Sequence, residues 1–144
     1  MTTLIYDSIW TSTFTPDELE LFLTTIRLEN SRLNVTGILL YHNGNFIQII
    51  EGENLIIADL FEKIKNDERH NQVIKLVDFK MKDRSYENWS MAFKVISKKD
   101  WTTIKEYLSI KYNLLGLKRK SNKSTYLKLL IDLFIDENTN KLVL

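Results

Sequence analysis

The spacing of apolar residues along the chain predicts alternating strands and helices. Leu4-Ile5-Tyr6 opens a short strand. A helix is expected next, because Thr15 can cap it, Pro16 suits the first helical position and Glu18 completes a capping box. Its apolar residues recur at helical spacing, and the pattern ends near Asn30.

The middle of the chain has the pattern of a β-hairpin followed by a second helix. Asn43-Gly44 can supply the positive φ angles of a tight turn between two apolar runs. Gly52 to Asp67 carries its apolar residues on one helical face. Four strands are predicted in addition to the first, at residues 35–41, 46–50, 73–81 and 90–96.

The resulting order, βαββαββ, predicts a ferredoxin-like α+β sandwich with both helices on one face of the sheet. The other face then needs a cover. Two amphipathic segments, Lys98 to Tyr112 and Ser124 to Asp136, are predicted to be helices that supply it. The chain of 144 residues is therefore interpreted as one domain over residues 1–97 and a C-terminal helical cap or output segment over residues 98–144.

Composition excludes several classes of site. The chain has no cysteine, so disulfides, thiolate zinc sites and cysteine nucleophiles are excluded. Its two histidines, His42 and His70, are far apart in sequence, and no metal site is expected. No apolar stretch is long enough to span a bilayer, and the N-terminus lacks a signal-peptide pattern. We expect a cytoplasmic protein without a membrane partner.

Charge is unevenly distributed along the chain. Residues 1–97 hold ten Lys and Arg and fourteen Asp and Glu, a net charge of −4, whereas residues 98–144 hold ten and five, a net of +5. A basic tail can bind nucleic acid or an acidic partner, but a solvated helix face is the more common reason for such a pattern. A nucleic-acid partner is therefore not expected.

A glutamine in an apolar strand is the most informative single residue. Gln48 lies in Phe46 to Ile50, where an unsatisfied buried amide would cost about 1–3 kcal/mol. Residues two apart in a strand share a face, so Gln48 and Tyr6 are predicted to project between the two helices, with Asn30 at the rim. Taken singly, each is most often an ordinary core or helix-end residue. Together they point to a bound planar cofactor.

Several segments in the same order resemble one known family. They are Leu4-Ile5-Tyr6, Asn34-Val35-Thr36-Gly37-Ile38-Leu39, Phe46-Ile47-Gln48-Ile49-Ile50-Glu51-Gly52, Asp67-Glu68-Arg69-His70 and Trp89-Ser90-Met91. Over roughly residues 1–97 the chain resembles the BLUF domain, the blue-light sensors that use flavin adenine dinucleotide (FAD). The part from Thr36-Gly37 to Glu51-Gly52 is the most specific.

The resemblance implies a role for each candidate residue. Tyr6 would donate an electron and a proton to the excited flavin, Gln48 would bridge Tyr6 and the flavin N5/C4-carbonyl edge, and Asn30 would bind the pyrimidine side. FAD is the expected cofactor, with FMN or riboflavin as alternatives. The remaining candidates are Ile64 with Phe22 or Leu23 on the ring faces, Asp67 and Arg69 near the ribityl and phosphate groups, and Trp89 and Met91 as a signal relay.

One residue departs from the family pattern. Glu29 stands where other members often carry a histidine, an asparagine or a basic side chain near the flavin C2 carbonyl. A carboxylate is a poor partner for a carbonyl oxygen. Either Glu29 points to solvent, or the loop is shifted.

Three functions remain in competition at this point. The leading hypothesis is a photoreceptor with no catalytic turnover, whose output is an unidentified signalling protein or a change in homo-oligomerisation. The alternative is a flavin-free ferredoxin-like protein-interaction module, in which Gln48 has no role. A small phosphatase-like enzyme is disfavoured, because the segment Asp7 to Ser12 after the first strand has neither glycine nor arginine.

Overall fold

The strands and helices follow the predicted order. The computed structural model describes residues 1–11 and 14–115. In that part of the chain the strands are β1 (Thr2–Trp10), β2 (Thr36–His42), β3 (Asn45–Gly52), β4 (His70–Lys80) and β5 (Ala92–Val95). The helices are α1 (Pro16–Leu33), α2 (Asn54–Lys65) and α3 (Lys98–Leu115). The predicted helix at Ser124 to Asp136 lies outside the described residues.

The five strands form one sheet in the order β4-β1-β3-β2-β5. The pairs within the first four strands are antiparallel, whereas β5 runs parallel to β2. This places β3 at the centre and sets Tyr6 directly opposite Gln48. The fold is therefore the ferredoxin-like α+β sandwich that the sequence predicts.

The start of α1 is the predicted capping box. The Thr15 hydroxyl accepts from the Glu18 backbone N–H at 3.2 Å, and the Glu18 carboxylate accepts from the Thr15 N–H at 2.8 Å. The helix continues past its predicted end at Asn30, because the left-handed residue that terminates it is Asn34, with φ of 53°. Asn30 therefore lies within the last helical turns rather than at the helix end.

The sheet separates two apolar cores. On one face α1 and α2 pack through residues such as Leu23 and Ile57. On the other face α3 packs through Ile104, with Trp101 at its margin. An ion pair between Lys105 and Asp7 also joins α3 to β1. The first of the two predicted cover helices is thus in the predicted place.

Gly37 lies in β2 opposite Ile50 of β3, with no room for a side chain. A Cβ atom at this position would lie 1.9 Å from the backbone oxygen of Ile49 and 3.2 Å from Cα of Ile50. Both are backbone atoms, which cannot move aside as a side-chain tip can. The close pairing of these strands around Gln48 therefore requires glycine.

The connection from β4 to β5 is held by a buried carboxylate. Glu51 is 1% exposed, and its oxygens accept from the backbone N–H groups of Ser85 and Tyr86 at 3.0–3.1 Å. Arg84 donates to the carbonyls of Asn34 and Glu51 at 2.6 and 2.9 Å. These bonds fix the path of the chain as it enters the segment before β5.

The structure also bears on membrane insertion. None of the helices in the described ranges combines the length and the apolar character needed to cross a bilayer.

Candidate functional site

A cavity of about 250 Å³ opens between α1 and α2 above the sheet. Three strands contribute polar groups to it, the helices contribute apolar walls, and the turn before β4 contributes charged residues at its rim. Seven of the residues singled out in the sequence line it: Tyr6, Phe22, Asn30, Gln48, Ile64, Asp67 and Arg69.

The centre of the site is a buried hydrogen bond between two neighbouring strands. The Tyr6 hydroxyl donates to Oε1 of Gln48, and the two residues are 1% and 6% exposed. Burial, with a smaller contribution from the Asp67 carboxylate, raises the pKa of the Tyr6 phenol far above its ordinary value. In the resting protein Tyr6 is therefore a protonated donor, and Gln48 is its acceptor.

The other end of the Gln48 amide meets a weak partner. Its Nε2 donates to the sulfur of Met91 at 3.6 Å, and Met91 is 1% exposed. A thioether is a poor acceptor. The amide nitrogen at the cavity wall is thus suited to a ligand that presents a stronger acceptor.

Asn30 connects the α1 side of the cavity to the segment that precedes β5. It is 3% exposed, and its Nδ2 donates to the carbonyl of Ser90 at 2.7 Å. One turn earlier, Nε of Arg27 donates to the carbonyl of Met91 at 2.9 Å. The helix α1 is therefore bonded directly to the segment that precedes β5.

A bidentate ion pair lies at the cavity rim. Arg69 donates to both carboxylate oxygens of Asp67, with the shortest contact 2.6 Å from Nη2, and its backbone N–H adds a bond of 3.0 Å. The Arg69 guanidinium holds the pKa of Asp67 below its usual value, and Asp67 in turn raises the pKa of Arg69. Lys63 and Glu29 line the same cavity, so its lining carries two cations, the paired carboxylate of Asp67 and the carboxylate of Glu29.

Two of the sequence-based candidates lie elsewhere. Leu23 is buried in the helix–sheet core and does not line the cavity, whereas Phe22 does. Trp89 packs against the core on the opposite sheet face and stacks on Tyr86, with ring centroids 5.5 Å apart. Trp89 and Met91 therefore lie on opposite sheet faces, because β5 begins only at Ala92, two residues later than predicted, and the chain crosses between faces before it.

Sequence reasoning missed other cavity residues, of which Ile26 and His70 are the clearest. Ile26 follows Phe22 by one helical turn. His70 begins β4, three residues earlier than predicted, because the polar run at its start gives no strand pattern. The signal in the sequence that could have identified His70 as a cavity residue was its place in the segment Asp67-Glu68-Arg69-His70. One alternative for Glu29 was that its side chain points to solvent. In the structure Glu29 is half-buried and lines the cavity.

A family model described as BLUF, sensors of blue-light using FAD, matches residues 1–92. The chain belongs to the BLUF family. It is therefore a flavin-binding blue-light sensor domain, and FAD is the cofactor that defines the family.

Relatives of this BLUF chain are named for responses to light. It is 34% identical over 92 residues to the photoactivated adenylate cyclase subunit beta of Euglena longa, a match that covers 63% of this chain and 11% of that protein. It is 30% identical over 77 residues to the blue light- and temperature-regulated antirepressor BluF of Escherichia coli K12, covering 54% and 19%. The chain thus spans only a small part of these curated relatives.

A solved structure agrees over nearly the whole chain. BlsA in its photo-activated state is 28% identical, with a TM-score of 0.70, and the match covers 96% of this chain and 98% of that one. BlrB in its dark state, at 24% identity and a TM-score of 0.64, has the same fold. A short BLUF protein is therefore a known form of this fold.

The cavity fits the flavin of the BLUF family. The Gln48 amide, with its weak thioether partner, suits the acceptor edge of the ring. Apolar side chains from both helices suit the ring faces, and the rim cations Lys63 and Arg69 suit phosphate groups. The residues present are thus compatible with FAD.

The surroundings of His70 predict a pH dependence of stability. Its Nδ1 lies 3.0 Å from the Ser8 hydroxyl, and its ring stacks on Trp10 at 4.6 Å. Desolvation lowers the pKa of His70 below its usual 6.5, and the carboxylate of Asp67 only partly opposes this. The folded state therefore prefers neutral His70, so this contribution is complete above about pH 6.5 and is lost as the pH falls through the lower folded value.

We expect His70→Phe to flatten the dependence of the unfolding free energy on pH just below 6.5, since phenylalanine keeps a ring against Trp10 but does not titrate. Urea unfolding at closely spaced pH values from 7 to 5 measures this slope. The lowered pKa of Asp67 affects stability only below about pH 4, outside the window. An equal slope in the wild type and His70→Phe would contradict the prediction.

Proposed function

We propose that this BLUF domain senses blue light through Tyr6 and Gln48 and has no catalytic turnover of its own. The observation that carries the proposal is the buried hydrogen bond from the Tyr6 hydroxyl to Gln48 Oε1 at the wall of the cavity. Such a pair places an oxidisable phenol and an acceptor for its proton together, beside the space between α1 and α2.

When bound, the flavin supplies blue-light absorption and an acceptor for one electron. Tyr6 would supply that electron, and its phenolic proton would move along the existing hydrogen bond toward Gln48 Oε1; the return of the electron and a proton to Tyr6 would restore the neutral phenol. Rotation of the Gln48 amide, or its tautomerisation, then exchanges its donor and acceptor ends. Changing one hydrogen bond is worth about 0.5–1.5 kcal/mol, so it shifts a two-state equilibrium by roughly tenfold at most.

The remaining cavity residues are proposed to hold the cofactor. Asn30 would bind the pyrimidine side of the ring, and Phe22 with Ile64 would enclose its faces. Asp67 and Arg69 would meet the ribityl and phosphate groups. FAD is the family's cofactor, and shorter flavins remain compatible with the site, since the Klebsiella pneumoniae BlrP1 was solved with FMN. That protein is 25% identical, with a TM-score of 0.62 and coverage of 94% of this chain and 35% of that one.

The output is proposed to be a separate signalling protein or a second copy of the chain. The names of the relatives, an antirepressor and the adenylate cyclase subunits, support an effector that differs from one protein to the next. Within this chain, Met91 is proposed to pass the state of Gln48 to β5 and on to residues 98–144. Trp89, on the opposite sheet face, would act on α3 rather than on Gln48 directly.

The test is an absorption spectrum of the purified protein in darkness and immediately after blue light. We expect a flavin spectrum that shifts to longer wavelength on illumination and returns in darkness. A protein that stays colourless after refolding with added FAD would contradict the proposal and favour the flavin-free interaction module. A flavin-bound protein without any reversible shift would contradict the photochemical roles of Tyr6 and Gln48.

A further inference from the structure

Three successive carbonyls fix the backbone just before β5. The Trp89 carbonyl accepts from the Gly37 N–H of β2 at 2.9 Å, and the Ser90 carbonyl accepts from Asn30 Nδ2 at 2.7 Å. The Met91 carbonyl accepts from Arg27 Nε at 2.9 Å. Arg27 and Asn30 are three residues apart and thus share one face of α1. The segment is therefore bonded to α1 at two consecutive residues.

Two hydrogen bonds hold Met91, one at its backbone and one at its side chain. Its backbone carbonyl is bonded to Arg27, and its sulfur accepts from Gln48 Nε2. A methionine side chain has three rotatable bonds and adapts readily to the space around it. The sulfur therefore stays within reach of Gln48 only while the backbone of Met91 is fixed.

The hydrogen bond that Arg27 makes is suited to fixing the Met91 backbone. Its donor is a charged guanidinium, and charge-assisted hydrogen bonds are shorter and stronger than neutral ones. Desolvation lowers the pKa of Arg27 somewhat from its usual value, which reflects a group partly removed from water. Arg27 is not among the residues that line the cavity. The bond from Arg27 to the Met91 carbonyl is a route by which it can act on the site.

We propose that Arg27 is a positioning residue of the light switch, which fixes Met91 so that its sulfur receives the Gln48 amide in the dark and which links that contact to α1. The proposal rests on the function proposed above. The Gln48 amide nitrogen carries two N–H groups, so one can donate to the flavin while the other returns to the Met91 sulfur in the dark state. A fixed acceptor makes that return faster than a mobile one, because its orientation is already set.

The first experiment compares Arg27→Gln, Arg27→Lys and Arg32→Gln in the flavin-loaded protein. Arg32 is the matched control, since it is an exposed arginine on the same helix. We expect Arg27→Gln to keep the size of the light-induced shift, because the Tyr6–Gln48 pair is untouched, and to slow dark recovery at least threefold. Arg27→Lys should recover faster than Arg27→Gln, and Arg32→Gln should recover as the wild type does.

A second measurement follows Met91 itself in the dark. The chain has three methionines, so labelling their methyl groups with ¹³C gives three NMR signals, and the Met91 signal is assigned by its loss in Met91→Leu. We expect that signal to move or broaden in Arg27→Gln but not in Arg32→Gln. In the Met91→Leu background, Arg27→Gln should have no further effect on recovery.

The outcomes distinguish a failure of the proposed function from a failure of the role proposed for Arg27. A wild type without any light-induced shift overturns the proposed function. A wild type that switches, together with an Arg27→Gln variant that has unchanged recovery and an unchanged Met91 signal, overturns the role of Arg27 alone. An undiminished effect of Arg27→Gln in the Met91→Leu background also overturns it, since Arg27 would then act by another route.

Discussion

Tyr6→Phe should abolish the reversible light-induced shift of the flavin spectrum while leaving flavin bound. The substitution removes the hydroxyl that donates to Gln48 Oε1 and the proton that the proposed switch moves. It keeps the ring that packs 5.6 Å from Phe61, so the apolar core changes little. Difference spectra before and after blue light, at matched flavin content, measure the effect.

Tyr41→Phe is the matched control for this prediction. Tyr41 lies in β2 and packs against the core on the same sheet face, with its ring 4.9 Å from that of Phe46. It does not line the cavity. We expect this variant to keep the full light-induced shift. A normal shift in Tyr6→Phe would exclude Tyr6 as the donor, whereas loss of the shift in both variants would indicate a general disturbance of the core.

Gln48→Leu tests the same hydrogen bond by removing its acceptor. It should also remove the shift, and in the flavin-free protein it leaves the buried Tyr6 hydroxyl without its acceptor, at a cost of about 1–3 kcal/mol. Adding Tyr6→Phe removes the unsatisfied hydroxyl, so the double variant should regain part of that stability. Urea unfolding of the three variants gives this coupling. A neutral Gln48→Leu would contradict the importance of the bond.

Gly37→Ala should have the largest effect on the fold. Its Cβ would lie 1.9 Å from the Ile49 oxygen, and the nearest atoms belong to the backbone of the paired strand. Relief requires β2 and β3 to separate beside Gln48. We expect a loss of at least about 3 kcal/mol, or failure to fold, since small-to-large substitutions in packed cores already cost about 1–3 kcal/mol when side chains can adjust. Urea unfolding measures the loss.

Gly44→Ala provides a contrasting control in the hairpin turn. A Cβ there meets nothing within 4 Å, but its φ of +81° disfavours any residue with a side chain. We expect a cost of about 1–2 kcal/mol from backbone strain alone. If Gly37→Ala proves no worse than Gly44→Ala, the close approach of β2 and β3 is not the reason for glycine at position 37.

Local sequence patterns predicted the parts of the site that lie on regular elements. Tyr6 and Gln48 face the helices because side chains alternate along strands, and the hairpin turn fixed the position of β3 beside β2. The capping box located the start of α1. In each case the signal and the structure it specifies lie within a few residues of one another.

The features that the sequence predicted wrongly or left open depend on contacts between distant residues. Hydrogen bonds from Gly37, Asn30 and Arg27 fix the backbone of residues 89–91 and thereby the sheet face on which Trp89 and Met91 lie. The apolar pattern of residues 89–91 contains no information about these bonds to distant residues. Whether Phe22 or Leu23 faces the cavity depends on how α1 is rotated about its axis. Adjacent helical residues differ by about 100° in direction, and a broad apolar stripe accepts either.

The ion pair between Asp7 and Lys105 has a consequence for engineering the domain. Tyr6 and Asp7 are neighbours in β1, so one side chain enters the cavity and the other points to α3. A single peptide unit thus separates the proposed photochemistry from an ion pair that joins α3 to the sheet. A substitution at Asp7 that shifts the backbone of β1 would therefore alter the light response as well as the docking of α3. Variants intended to change docking alone belong at Lys105.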